Sequence, residues 1–388
     1  MIDEFRRLYG SAEGIRIFRA PGRVNLIGEH TDYNLGFVMP VALQMATFVA
    51  AAPSSDGKLR VYSEGRQESA EWPVSGLGTL RPRRHWTDYP IGVAQELLRA
   101  GFAIEPHNML IRSTVPEGSG LSSSAALEVS SALALLGDRR LDPLELALLC
   151  QRAERGFVGM PCGIMDQYIS IFGREQAAIC IDCRSLEHQV APLPDSATFL
   201  AVNSMVKHEL ASSAYKERTE QCAAAVEIIA RRYPGTASLR DVTPEMFERA
   251  EASLPPVIAR RARHVVTEDA RVGQFLQACN QGDVARMGHL FEASHRSLQR
   301  DYEVSCEELD FLVDAALGLE GVYGARMTGG GFGGCTVNLM RPETVGHFRE
   351  EIHRLYHERF GIAPQIYFCC PSPGAAEVKN LENIPGPS

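Results

Sequence analysis

The spacing of apolar and polar positions divides the chain into two unlike halves. In the first, Val38–Ala51 and Leu59–Tyr62 read as β segments, with Ser54–Gly57 as the turn between them. Pro90–Ala100 sets Ile91, Ala94, Gln95 and Leu98 at helical spacing. His107–Ser113 predicts a strand, followed by a glycine loop and a helix over Ser122–Leu136. Asp142-Pro143-Leu144-Glu145 supplies the acceptor, proline and acid that open a helix, predicted to run to about Phe157. A shorter apolar helix is predicted over Ile164–Phe172.

The second half is richer in helix. Tyr215–Arg232 and Pro256–Asn280 read as long, charged, amphipathic helices, and Gly282–Arg300 and Cys306–Leu317 as two more. Gly324–Thr328 and Thr336–Met340 read as strands around a glycine cluster, Phe348–Phe360 as a helix and Gln365–Cys369 as a last strand. Strands and helices without strict βαβ alternation predict an α+β fold in both halves. The stretch Pro192–Asp195 marks the expected boundary, giving domains of residues 1–190 and 191–388. The tail Ser372–Ser388, rich in Pro, Gly and Asn, is expected to fray.

Composition narrows the function classes. A chain of 388 residues suggests roughly two to three domains and can bury a sizeable core. Basic residues number 39 and acidic residues 48, a net charge of −9. That balance counts against a general nucleic-acid or anionic-membrane binder, while leaving room for a local basic pocket. MIDEFRRLYG has no apolar core of a secretory signal. Phe37–Ala52, the longest apolar-leaning run, is broken by Pro40, Gln44 and Thr47, and is short of the roughly 20 residues a membrane helix needs. The ten cysteines are scattered, with Cys180/Cys183 and Cys369/Cys370 the close pairs. A zinc ribbon needs two CxxC pairs, so buried free thiols in a reducing, cytoplasmic setting are expected.

Three motifs carry candidate chemistry. Ala20–Asn34 packs Arg23, Glu29, His30 and Asp32 between apolar residues, with Gly22 and Gly28 able to turn tightly. Such a cluster can bond several sugar hydroxyls while presenting one arginine, or be a solvated turn with incidental ion pairs. Val115–Glu128 runs a glycine loop into Ser122, Ser123 and Ser124 and then a helix. Loop amides and a helix start make an anion site, and without GK[ST] this is not a Walker A loop. Met327–Cys335 contains GxGxxG, but a strand follows where a dinucleotide-binding motif needs a helix. Glu154, late on its helix, reads as a surface acid, and Asp166, at a helix start, as a capping acid.

Together these motifs resemble the GHMP small-molecule kinase family, and within it the branch that phosphorylates galactose. Arg23–Asn34 resembles that branch's signature, Val115–Glu128 the family's phosphate loop, Gly324–Cys335 its third glycine motif, and Cys162–Gln167 the segment with the catalytic aspartate. The resemblance implies an amino-terminal α+β domain like the second domain of ribosomal protein S5, a ferredoxin-like carboxyl-terminal domain and an active site in the cleft between. It implies transfer of the ATP γ-phosphoryl group to the anomeric hydroxyl of α-D-galactose. Asp166 and Arg23 match the catalytic pair, and Glu29, His30, Asp32, Gly163 and Tyr215 match sugar-binding positions. Gly118, Ser119, Gly120, Leu121, Ser122, Ser123 and Ser124 match the ATP loop, with Ser124 and Glu154 at positions associated with Mg²⁺. Trp86 and Tyr89 resemble a segment near the adenine end, and Leu35 is bulkier than the branch's pattern. The implied partners are galactose and MgATP, with no nucleic acid and no membrane; oligomeric state stays open, a monomer being compatible. Other sugar 1-kinases of the family, for N-acetylgalactosamine, arabinose or galacturonate, and a silent sugar and ATP sensor are the alternatives.

Overall fold

The computed structural model describes residues 1–207 and 211–379. Six strands form the first sheet, in the order Ala376–Glu377, Arg16–Asn25, Pro40–Pro53, His107–Ser113, Lys58–Ser63 and Glu68–Pro73. The pairing of Lys58–Ser63 with His107–Ser113 is parallel and the others are antiparallel. Helices Asp88–Arg99 and Ser123–Leu136 cover one face, burying Val49, Leu59, Ile91, Leu97, Ile111, Val129 and Leu135 in one cluster. Helix Ile2–Tyr9 lays Phe5 against Ile17, Phe48 and Leu110 on the other face.

A four-stranded antiparallel sheet runs Val322–Thr328, Gly333–Met340, Thr198–Lys207, Gln365–Phe368. Helices Glu307–Leu317 and Val345–Phe360 pack on one face around Leu200, Leu312, Phe348 and Tyr356. On its other face Phe199, Val337 and Leu339 join Phe275 and Phe291 of helices Pro256–Gln281 and Val284–Ser297. Val24, Leu26, Ile27, Met39 and Leu43 from the first half share that cluster. The two halves are thus joined by a common core, directly beneath the sugar-like motif. Among the described residues, no helix is long and apolar enough to cross a membrane.

Several local expectations change. The segment with Arg23 is a strand, Arg16–Asn25, whose register against Pro40–Pro53 shifts between Pro21 and Arg23. A bulge of this kind re-aims a side chain. Gly22 makes no tight turn: a Cβ there would sit 2.6 Å from the Leu121 carbonyl oxygen, so glycine permits close approach of the phosphate loop. Strands Ala177–Asp182, His188–Pro192 and Thr198–Lys207 were not expected. The helix from Pro143 ends at Arg152 and continues as a π-turn over Ala153–Val158, which carries Glu154.

The tail expected to fray is ordered through residue 379 and leaves the second half altogether. Ser372 N donates to the Ala42 carbonyl at 2.9 Å, Gly374 N to Gly173 O at 3.0 Å and Val378 N to Ile17 O at 2.8 Å. Ala376–Glu377 then closes the edge of the first sheet, with Glu377 receiving both Arg16 Nε and Nη2 at 2.7 Å. Backbone pairing and one forked ion pair outweigh the loop-like composition there. Residues 380–388 lie outside the described part.

Candidate active site

A cavity of about 400 Å³ opens where the two sheets meet. The bulged strand turns Arg23 into it, and the first turn of helix Met165–Phe172 brings Asp166 opposite. Arg23 Nε donates to Asp166 Oδ1 and Nη2 to Oδ2, both at 2.8 Å. The planar guanidinium thus holds the carboxylate by a fork, fixing its plane. Arg23 Nη1 reaches the Gly120 carbonyl, tying this pair to the phosphate loop. Ser122 Oγ donates to Asp166 Oδ2 at 2.5 Å. An ionised carboxylate has about four lone-pair positions. Among the described residues three are occupied by these donors, which leaves one on Oδ1.

The phosphate loop does not present all its residues alike. Gly118, Gly120, Ser122, Ser123 and Ser124 line the cavity, and Gly118, Gly120 and Ser122 have φ of 71°, 79° and 60°. Ser119 is buried with its hydroxyl on Pro116 O at 2.7 Å, and Leu121 is a core side chain whose carbonyl accepts Arg23 N at 3.0 Å. Both side chains are taken up by the loop's own packing, which leaves the backbone at these two positions for the expected amide contacts. Facing this loop, Gly329–Gly334 closes the opposite wall. A strand, Gly333–Met340, does follow those glycines.

The sugar-like motif is buried and braced from behind. Glu29 Oε1 accepts Gly329 N at 2.8 Å and Thr328 Oγ1 at 3.1 Å, with Arg326 Nη1 at 3.5 Å. Burial pushes the Glu29 carboxyl up from its ordinary range, while Arg326 and Arg23 pull the other way. His30 Nδ1 meets the Tyr33 hydroxyl at 2.9 Å, and burial holds the imidazole neutral, down to about 3. Desolvation, reinforced by the Asp166 charge, lifts Asp32 to about 7. Gly163 lies against it: a Cβ there would fall 1.6 Å from Asp32 Oδ2. Tyr215, on helix Ala211–Arg232, completes this end, its ring centroid 5.4 Å from that of His30.

The brace comes from helix Pro256–Gln281. Glu268 Oε1 accepts Gly28 N at 3.0 Å, Asp269 Oδ1 accepts Phe37 N at 2.8 Å, and His264 Nε2 lies 3.0 Å from the Glu29 carbonyl. Glu268 is held down to about 2, against the cost of burial, by Arg271, His264 and Arg326. The fully buried Arg326 adds a bond to the Leu26 carbonyl at 2.7 Å.

Ser124 lines the cavity beside Glu154, a carboxyl that burial pushes up while Ser124 and Gln167 pull the other way. Glu154 is buried, not the surface acid its position suggested. Glu128 and Gln167 stand beside it and were not singled out from the sequence. Ser124 and Glu128 are four residues apart on one helix, a spacing that could have flagged the second acid. Tyr89 and Met160 also line the cavity, whereas Trp86 is buried in the first core with Nε1 on Glu68 at 2.7 Å. Leu35 sits exposed past the short turn Asp32–Asn34, outside the lining.

A glycine-walled loop thus stands beside an arginine-clamped aspartate in one cavity between the two sheets. The chain matches three family models: "Galactokinase galactose-binding signature" over residues 3–53, "GHMP kinases N terminal domain" over 88–174 and "GHMP kinases C terminal" over 275–358. It is 45% identical to a galactokinase of Roseiflexus sp. (strain RS-1), covering 97% of this chain and 96% of that one. It is 44% identical to the galactokinase of Homo sapiens, covering 96% and 94%. The crystal structure of Lactococcus lactis galactokinase complexed with galactose superposes with a TM-score of 0.92 at 33% identity, over 97% and 98% of the two chains. A mevalonate kinase at 16% identity and a TM-score of 0.68 shares the fold alone. The chain belongs to the galactokinase family, with its two-domain GHMP kinase fold.

Proposed function

We propose that this chain is an ATP-dependent galactose 1-kinase in which Asp166 and Arg23 carry the chemistry. The observation that carries this reading is the forked Arg23–Asp166 pair, 2.8 Å on each arm, at the floor of a cavity with a phosphate loop on one side and a sugar-like motif on the other. The anomeric oxygen of α-D-galactose attacks the γ-phosphorus, the bond to the β–γ bridging oxygen breaks, and ADP leaves with the electron pair. The vacant lone pair of Asp166 Oδ1 receives the hydroxyl proton, or holds that hydroxyl in line until it is released. Arg23 orients Asp166 and offsets charge on the transferring group; phosphoryl transfer asks a protein chiefly for such positioning.

Asp32, Glu29, His30, Gly163 and Tyr215 form the sugar end. A neutral His30 and a carboxyl at Asp32 suit hydroxyls, and a site built for hydroxyl pairing rejects sugars that leave its polar groups unpaired. Backbone amides of Gly118–Ser124 hold the triphosphate. The hydroxyl of Ser124 and the carboxylate of Glu154 are hard oxygen donors, which fits Mg²⁺. When bound there, Mg²⁺ supplies charge neutralisation at the phosphate oxygens. With a net charge of −9, the protein draws ATP by these local groups and not by its overall field. Residues 1–190 and 191–388 are read as the two lobes, with the strand Ala376–Glu377 lent back to the first. The test is ADP release over a panel of sugars, including galactose, N-acetylgalactosamine, arabinose and galacturonate. Turnover of galactose well above the others supports the reading, and equal turnover of all four removes it.

A further inference from the structure

Behind the cavity wall, one amide ties two buried carboxyl groups together. Gln167 Nε2 donates to Glu154 Oε2 at 2.6 Å and to Glu128 Oε2 at 2.9 Å. Gln167 and Glu128 are fully buried and Glu154 nearly so. A primary amide nitrogen has two hydrogens, and both are used on carboxyl oxygens here. Glu128 Oε1 and Gln167 Oε1 have no partner among the described residues. Burying polar groups in this state costs stability that apolar side chains of the same volume would not. The phosphoryl transfer described above makes no use of either residue.

Their placement on the backbone suggests what they do. Gln167 follows Asp166 in the first turn of helix Met165–Phe172. Glu128 lies one turn after Ser124 on helix Ser123–Leu136, and Glu154 in the π-turn Ala153–Val158. Gln167 therefore joins the three elements that carry Asp166, Ser124 and Glu154. We propose that Gln167, backed by Glu128, is a positioning residue for Glu154: it fixes one carboxylate oxygen from behind, so that the group meets a divalent cation in a single orientation. The proposal rests on the reading of Ser124 and Glu154 as cation ligands.

The test is calorimetric binding of a non-hydrolysable ATP analogue to the full chain, once with Mg²⁺ and once with EDTA, the readout being the ratio of the two Kd values. Glu154→Gln is expected to lose most of the Mg²⁺-dependent tightening; if it kept the wild-type ratio, the ligand reading itself would fail and this inference with it. Gln167→Met is expected to reduce the ratio about tenfold, as loss of a partner behind a metal ligand does, with galactose Kd and metal-free Kd nearly unchanged. Glu128→Gln keeps the volume and an acceptor oxygen, and is expected to reduce the ratio about threefold. A wild-type ratio in Gln167→Met, with Glu154→Gln defective, overturns the proposal alone. So does a loss in Gln167→Met that is equal in galactose, metal-free and Mg²⁺-dependent binding, which marks a merely structural role. Should Gln167→Met fail to fold, Glu128→Gln decides by the same ratio, and an unchanged value overturns the proposal.

Discussion

The two polar walls of the cavity are built in opposite ways. The sugar-facing segment, Gly28–Phe37, is held by side chains from another part of the chain: Glu268 and Asp269 on its amides, His264 and Arg326 on its carbonyls or carboxylate. The phosphate loop, Pro116–Ser124, is held largely through its own carbonyls, which accept the Ser119 hydroxyl and the Arg23 backbone and guanidinium, and it turns with positive φ at Gly118, Gly120 and Ser122. The first wall offers oriented side-chain groups; the second offers small residues and main chain around space. A neutral polyol needs each hydroxyl matched individually, whereas a phosphate oxygen accepts any N–H pointing at it. Asp166 lies where the walls meet, bonded to Arg23 from the first sheet and Ser122 from the loop.

The strongest way to sharpen this contrast is to disable the junction. Asp166→Asn should lower kcat by about 10²–10⁴-fold while binding of each substrate persists; steady-state ADP release with separate binding measurements checks it, and near-wild-type turnover would sink the assignment. Next, Gly163→Ala should evict Asp32 and raise the galactose KM on the order of a hundredfold, with ATP KM nearly constant, because a carboxyl cannot share space with a methyl 1.6 Å away. Parallel losses for both substrates would mean the walls are not separable.

The brace itself comes third. Glu268→Gln should cost on the order of 3 kcal/mol in denaturant unfolding, because its amide oxygen can still accept Gly28 N while its NH2 leaves the Arg271 guanidinium without an acceptor in a buried site. Galactose affinity should fall with it. Because Glu268 is held at about 2, below its ordinary 4.5, its contribution is present above that ordinary value and is lost as pH falls toward 2. The wild type should therefore show an acid-unfolding component that Glu268→Gln lacks. Gly120→Ala is smaller: strain at φ 79° should raise ATP KM about fivefold and leave galactose KM alone.

The mildest effect concerns pH. Asp32, lifted to about 7 from 3.8, binds its proton across that interval while the unfolded chain does not. Stability contributed by this group therefore falls as pH rises from about 4 to 7. The carboxylate accepts hydroxyl bonds better than the acid, so galactose KM should rise a few-fold as pH drops below about 7, with ATP KM flat. A pH profile of both constants, repeated on Asp32→Asn, checks the sign.

The sequence exposed the helices and motifs more readily than the strands that place them. Pro256–Gln281 was legible because exposed polar positions recur along one side and Gly282 ends it at φ 66°, and Ser123–Leu136 because an Ala- and Leu-rich run stands between Ser122 and Gly137, although none of its residues is exposed. Thr198–Lys207 was invisible because Phe199, Leu200, Ala201 and Val202 are all buried, leaving no alternation to read. Arg16–Asn25 was hidden by Pro21, Gly22 and three arginines, which mark a bulge and not a loop. The positions of Arg23 and Asp166 were legible only through family resemblance, because pairing across 143 residues has no local signal. Glu128 and Gln167 lay within quoted motifs, yet their meaning depends on the π-turn that brings Glu154 over them.

The returning tail has a consequence for how the protein is made. Strand Arg16–Asn25 emerges early from the ribosome, but its outer edge is closed by Ala376–Glu377, near the far end of the chain. Until synthesis reaches that point, a nascent chain displays an open strand edge of the sort that recruits other strands. The strand that carries Arg23 is therefore also a place where a truncated chain is exposed to aggregation, and loss of the segment from Ala376 onward would open the edge of the first sheet at Phe18 and Arg19.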